Sequence, residues 1–282
     1  RKKQYHRKEY HYLLNLFKIT KNKIFFYYSI MTTISEEESE RPINISKFNF
    51  SCDDEDLTIP EPLPRKSFSM LIVGKPGMGK TNLLLNLITK RGKCFNRKFS
   101  KVFIVSPSLS TIADDDPFEL IPDEQKFTEA SLETLDSITD QIADSGDKVL
   151  IILDDVIADV RGKGKAAVEN KLQKMFFNRR HLCGAGGSAS IIATSQTYNK
   201  IDSKLRKACS HLICFENRNK REISSIFDEI ILIPLKEYMD VMKYIYDKKH
   251  NFMYIDTTRN QDDMIYKNFN KLTIDSPNII KF

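Results

Sequence analysis

A chain of 282 residues with 41% apolar content is long enough to bury one sizeable α/β core with appendages. Its five cysteines (Cys52, Cys94, Cys183, Cys209, Cys214) are scattered, odd in number and without a C-x-x-C pair, which excludes a disulfide framework and fits a reducing compartment. The net charge of +6 would suit a nucleic-acid partner, but residues 1–30 alone carry +7, eight Lys or Arg against Glu9, and the remainder carries −1.

The basic, aromatic opening gives way to an acidic segment at Met31, the first methionine. We expect Met31 to be the start and residues 1–30 to be upstream sequence; the other reading is a basic arm for DNA or a membrane surface. Lys18, Lys21 and Lys23 break the longest apolar stretch, so nothing approaches the roughly 18 residues of a membrane span, and no small-residue cleavage site follows. Residues 31–66, with two acidic runs and prolines at 60, 62 and 64, are expected to form an acidic, disordered leader.

Met70 to Val73 is a short apolar run that feeds Gly74-Lys75-Pro76-Gly77-Met78-Gly79-Lys80-Thr81, and a leucine-rich helical stretch follows at once. Strand, glycine-rich turn, Lys-Thr and helix make a P-loop. The backbone N–H groups of residues 74–81 would cradle the phosphates of ATP, Lys80 would reach the terminal phosphates, and Thr81 would ligate Mg²⁺. Lys101 to Val105 reads as a second strand, and Thr128 to Ser145 as a helix capped by Thr128. The Asp114-Asp115-Asp116 run between them reads as a solvated loop.

Lys148 to Asp154 is continuously apolar, as a parallel strand covered on both faces should be, and it ends in Asp154-Asp155. Such a strand downstream of a P-loop is a Walker B element: Asp154 would hold Mg²⁺ through water and Asp155 would polarise the attacking water. Arg161 to Arg180 then carries seven Lys or Arg against Glu169, with a helix over Ala166 to Phe177. It suits a phosphate backbone or is merely a solvated face.

The next apolar strand, Ser188 to Thr194, ends in Ser195-Gln196, where an amide can sense the γ-phosphate or orient water. Asn199 to Ala208 is expected as a short basic helix, Ser210 to Phe215 as a strand, Lys220 to Glu229 and Leu235 to Tyr246 as helices, and Asn251 to Asp256 as a last strand. Asn199-Lys200-Ile201-Asp202 matches the guanine-recognition pattern N-K-x-D. Against a GTPase, Ile157 and Ala158 stand where a glycine should follow the Walker B aspartate. A small-molecule kinase would need an arginine-rich lid.

The order GKPGMGKT, VLIILDDV, FFNRRHLCG and SIIATSQT resembles the packaging ATPases of large DNA viruses, of poxvirus type, within the FtsK/HerA-like superfamily. Asn178-Arg179-Arg180-His181 is similar to the family's N-x-R-H signature, and Lys204-Leu205-Arg206 to its following basic element. There are departures: Asp155 stands where many relatives have Glu, and Lys207 where Asn is usual.

The resemblance implies a three-layer α/β P-loop NTPase, RecA/FtsK-like, with a mainly parallel sheet of order 5-1-4-3-2, counted from the P-loop strand as 1. The ATPase domain is expected over 67–258 and a C-terminal extension over 259–282. The resemblance further implies an ATP-driven double-stranded DNA translocase that fills a capsid, working as a hexameric ring, in a virion or viral factory with capsid or portal-vertex components as partners. Ring assembly would let a neighbour supply an arginine to the transferring phosphoryl group, with Arg180 and Arg206 as candidates. Two other readings stay open: a nucleotide-gated DNA-binding scaffold, and a helicase or recombination ATPase of the same fold.

Overall fold

The apolar runs met separately along the chain become neighbours in one sheet. The computed structural model describes residues 54–89, 94–109, 118, 121–158, 160, 164–231 and 235–274, together with 19–20 and 23–24. Two units are distinguished, residues 1–48 and 49–282. In the first, β1 (Ile19–Thr20) pairs antiparallel with β2 (Lys23–Ile24).

The second unit contains β3 (Ser69–Val73), α1 (Lys80–Ile88), β4 (Lys101–Val105), β5 (Lys126–Phe127), α2 (Leu132–Ile142), β6 (Lys148–Leu153), α3 (Lys165–Asn178) and β7 (Ser188–Ser195). There follow α4 (Ser203–Ala208), β8 (His211–Phe215), α5 (Lys220–Ile230), α6 (Leu235–Ile245), β9 (Phe252–Asp256), β10 (Ile265–Lys267) and β11 (Asn270–Lys271). The strand order is β11-β10-β9-β8-β3-β7-β6-β4-β5. Its middle, β8-β3-β7-β6-β4, is parallel throughout and is the expected order 5-1-4-3-2. β9 to β11 join β8 antiparallel.

Every residue of β3, β7 and β8 is buried, because helices lie on both faces of the sheet. The faces are covered unequally. Alternate residues such as Leu71, Ile151 and Ile191 pack against α2, α3, α4, α5 and α6, through side chains that include Ile138, Leu172, Leu205, Ile226 and Ile245. The intervening residues, Met70, Ile72, Ile152 and Ile192 among them, meet α1 through Leu84 and Leu87, and the irregular segments around Ile59, Leu63 and Phe95.

That second face corrects the expected boundaries. Residues 54–66 are not a loose leader: Ile59 and Leu63 are buried there, and Tyr254 Oη donates to the Pro62 carbonyl at 2.9 Å. With α1 and the segment around Phe95 they cover that face. At the other end, β10 and β11 extend the sheet within the expected C-terminal extension. Phe269 packs on Phe252 and Tyr254 at centroid distances of 5.1 and 5.6 Å.

Two helix starts also differ from expectation. α2 begins after Ser131, not Thr128, because Ser131 Oγ accepts from the Thr134 N–H at 3.1 Å. α4 begins only at Ser203, after a 3-10 turn over Tyr198–Lys200, with Asp202 as its N-cap. Residues 114–116, 161 and 163 lie outside the described residues.

Candidate active site

Parallel strands bring the tips of β3, β4, β6 and β7 to one edge, and the site is built from what each tip carries. Beyond β3 the chain keeps its partner for one more residue, as the Gly74 N–H donates to the Ser195 carbonyl at 3.1 Å. A Cβ on Gly74 would stand 2.9 Å from Phe215 Cβ, so only glycine fits against β8. Met78 N–H closes a turn on the Lys75 carbonyl at 3.2 Å. Gly79, at φ +103°, then starts α1 from the left-handed region, where a side chain is strained. No side chain caps the helix, and Lys75, Pro76 and Gly77 are exposed, so the first N–H groups of α1 are left without a side-chain acceptor beside an open loop. Thr81 is exposed on that first turn.

Lys80 is buried, and its Nζ donates to the Gly74 carbonyl at 2.8 Å and lies 3.8 Å from Asp155 Oδ2. Gln196 Nε2 donates to the same Asp155 oxygen at 3.3 Å. The structure therefore brings Lys80, Asp155 and Gln196 together, although 116 positions separate the first from the last in numbering.

Asp154 turns the other way and is held by two hydroxyls. Thr194 Oγ1 donates to its Oδ1 at 2.6 Å and Ser106 Oγ to its Oδ2 at 2.9 Å. The same Thr194 oxygen accepts the Asp155 N–H at 2.9 Å, fixing Asp155 at φ +53°, in the left-handed region that Asp tolerates better than most residues. Asp155 Oδ1 is buried and has no hydrogen-bond partner. Sequence reading missed Ser106 and Thr194. Their partners lie 48 and 40 residues away, so the only available signal was a hydroxyl at or beside the end of each neighbouring strand.

The two arginine candidates fare differently. Arg206 is committed within its own chain: its side chain is 10% exposed, Nη2 lies 2.9 Å from Glu229 Oε1, and Nη1 donates to Asn199 Oδ1 at 2.9 Å. Its guanidinium also stacks 4.5 Å from the Tyr198 ring centroid. Arg180 is half-buried in the 3-10 turn Arg179–His181 that follows α3. Its neighbour Arg179 donates from Nη1 to the Phe176 carbonyl at 3.1 Å, and burial lowers its pKa.

The guanine-recognition pattern is used up by folding. Asn199 holds Arg206, Ile201 is buried, and Asp202 caps α4 while accepting from Gln173 at 3.3 Å. In the basic helix, Lys171 pairs with Asp136 at 2.6 Å and Lys165 with Glu169 at 3.5 Å. Lys174, Lys200, Lys204 and Lys207 are exposed, the last three on the 3-10 turn and α4.

A protein-family profile described as Poxvirus A32 protein matches residues 60–270, well over half of the chain. No curated protein matches it in sequence. In fold it is similar to B204, the DNA-packaging ATPase of Sulfolobus turreted icosahedral virus, with 14% identity and a TM-score of 0.52 over 72% of this chain and 97% of that one. It is also similar to the genome packaging NTPase B204 of Sulfolobus turreted icosahedral virus 2 in complex with AMPPCP. There the identity is 13% and the TM-score 0.50, over 73% of this chain and 98% of that one.

Proposed function

The chain belongs to the poxvirus A32 protein family, and from that membership we propose that it is an ATPase that packages a viral genome by driving double-stranded DNA with ATP hydrolysis. The observation that carries the catalytic part is the meeting of Lys80 and Gln196 on Asp155, whose second oxygen is buried with no partner. A buried acceptor left unpaired costs about 1–3 kcal/mol, and a reacting water is the partner that would relieve it.

Residues 74–81 bind the ATP phosphates with their backbone N–H groups, and Lys80 neutralises the terminal phosphates. Thr81 and Asp154 fit Mg²⁺: Thr81 is exposed beside the loop, and the two hydroxyls on Asp154 donate to it and leave it an acceptor-only carboxylate, suited to hydrated metal. Held by Thr81 and Asp154, Mg²⁺ would supply positive charge against the negative charge that develops on the phosphate. Asp155 polarises the attacking water and Gln196 orients it. Arg180 and Arg206 are the arginines proposed to reach a neighbour's phosphates in a homo-oligomeric ring, which we take as a hexamer; Arg206 would have to leave Glu229 to do so.

The exposed lysines of α3, α4 and the turn before α4 supply a surface for the DNA backbone. Capsid or portal-vertex components are the further partners, in the virion or viral factory. No helix among the described residues is long and apolar enough to cross a membrane. The test is ATP hydrolysis by the full chain, with and without double-stranded DNA, at two salt concentrations. Turnover stimulated by DNA and fading with salt is the expected result; turnover indifferent to DNA would overturn the translocase reading.

A further inference from the structure

The Glu222 carboxylate touches neither the loop at 74–81 nor the two aspartates, yet it is 3% exposed and both its oxygens are engaged. It lies in the first turn of α5, three residues after the N-cap Asn219. A glutamate at that position ordinarily turns back to the N-cap's own N–H. Here the Asn219 N–H donates to Asn217 Oδ1 at 2.9 Å, and Glu222 reaches instead to the loop that follows β7. Its Oε2 accepts from the Tyr198 N–H at 2.7 Å and from Asn217 Nδ2 at 3.3 Å, and its Oε1 from the Asn199 N–H at 3.1 Å.

Two consecutive peptide N–H groups, the first only two residues past Gln196, thus hang on one buried carboxylate. Farther along α5, Glu229 grips the same loop, accepting from Tyr198 Oη at 2.8 Å. The Gln196 side chain itself is exposed and makes one hydrogen bond, to Asp155. Its position is therefore set by the backbone on either side of it. On one side that backbone is β7; on the other it is Thr197, whose N–H donates to Ser195 Oγ at 3.2 Å, and then the pair of residues held by Glu222.

We propose that Glu222 is the positioning residue of Gln196, fixing where the tip of β7 presents its amide to Asp155 and the attacking water. The inference rests on the ATPase reading and deepens it. A carboxylate suits the task because hydrogen bonds to an ionised acceptor are roughly twice as strong as neutral ones, and burial strengthens them further. Glu222→Gln keeps the shape but sets an NH₂ group against one of the two backbone donors, so one anchor is lost.

In the full chain, Glu222→Gln is expected to lower kcat about tenfold or more while KM for ATP moves by less than about threefold. Gln196→Ala should lower kcat as well, and the double variant should be no slower than the slower single one, since both act through one amide. Hydrogen exchange at Tyr198 and Asn199 should quicken in Glu222→Gln. A folded Glu222→Gln with wild-type kcat, or losses that multiply in the double variant, overturns the proposal. Should Glu222→Gln fail to fold, Glu222→Asp keeps the charge but is too short to span both donors; wild-type kcat or unchanged exchange in that variant overturns it equally. A wild-type protein without turnover would bring down the ATPase reading instead, and the exchange measurement would still decide whether Glu222 holds the loop.

Discussion

At the amino edge of the parallel strands, His211 and Asp256 are each 4% exposed and each polar atom they carry has a neighbour; at the carboxyl edge, Lys80 and Asp154 are buried too, but the adjoining Asp155 keeps one oxygen without a partner. His211 Nδ1 meets Ser210 Oγ at 2.8 Å and its Nε2 lies 3.4 Å from Asp256 Oδ1. Asp256 also accepts from the Thr258 N–H at 3.0 Å and from Arg259 Nε at 2.9 Å. One edge is a closed network that serves the fold. The other holds a lysine, two carboxylates and an amide and leaves one carboxylate oxygen unmatched, the difference expected between a polar core and the site proposed above.

The comparison breaks first if chemistry does not separate from stability. Lys80→Ala should lower ATP turnover at least about a thousandfold, about 4 kcal/mol of transition-state stabilisation, with the unfolding midpoint within about 2 °C of wild type. Steady-state hydrolysis and a thermal melt of the same sample check both halves. Asp256→Ala should do the reverse, costing about 3 kcal/mol in denaturant unfolding because Arg259 and the Thr258 N–H lose their acceptor, while kcat per folded molecule is unchanged.

Acid sharpens the contrast. Burial pushes the His211 pKa down to about 4, even though the Asp256 carboxylate favours its protonated form and the nearby Arg179 and Arg259 oppose it. The ring is thus neutral in the folded protein at pH values where the unfolded chain, with an ordinary imidazole, takes up a proton. Stability should be fully present above about pH 6.5 and fall by about 2–3 kcal/mol as pH drops toward 4. Denaturant unfolding across that range should show this slope, and His211→Gln should flatten it. The smallest effect belongs to Ser106→Ala, which removes one hydroxyl from Asp154. It should raise the Mg²⁺ concentration for half-maximal turnover about fivefold, equivalent to about 1 kcal/mol, with little change in KM for ATP at saturating metal.

What could be read in advance was local. β4 was expected at its observed bounds because four apolar residues run between Lys101 and Ser106, and residues 74–81 declare themselves by a glycine spacing that a tight turn requires. The pairing of Asp154 with Ser106 and Thr194, and of Glu222 with Tyr198 and Asn199, depends on which strands and helices become neighbours, and no short window of sequence records that. The partner of Arg206 was hidden for the same reason. The arginine's sequence context is basic and exposed-looking, and the acid that takes it, Glu229, arrives from a helix two elements later. The burial of Ile59 and Leu63 was hidden by the acidic residues and prolines around them, which lower the average without removing the two side chains the sheet needs.

Among the described residues the sheet has nine strands and ends on each side in a strand of only two residues, β5 and β11, and each includes a lysine, Lys126 and Lys271. Short, charged edges resist the pairing of backbone with backbone that turns crowded sheet proteins into fibres. In the ring proposed above, copies would thereby be steered to meet through side chains, and contacts of that kind can form and release repeatedly.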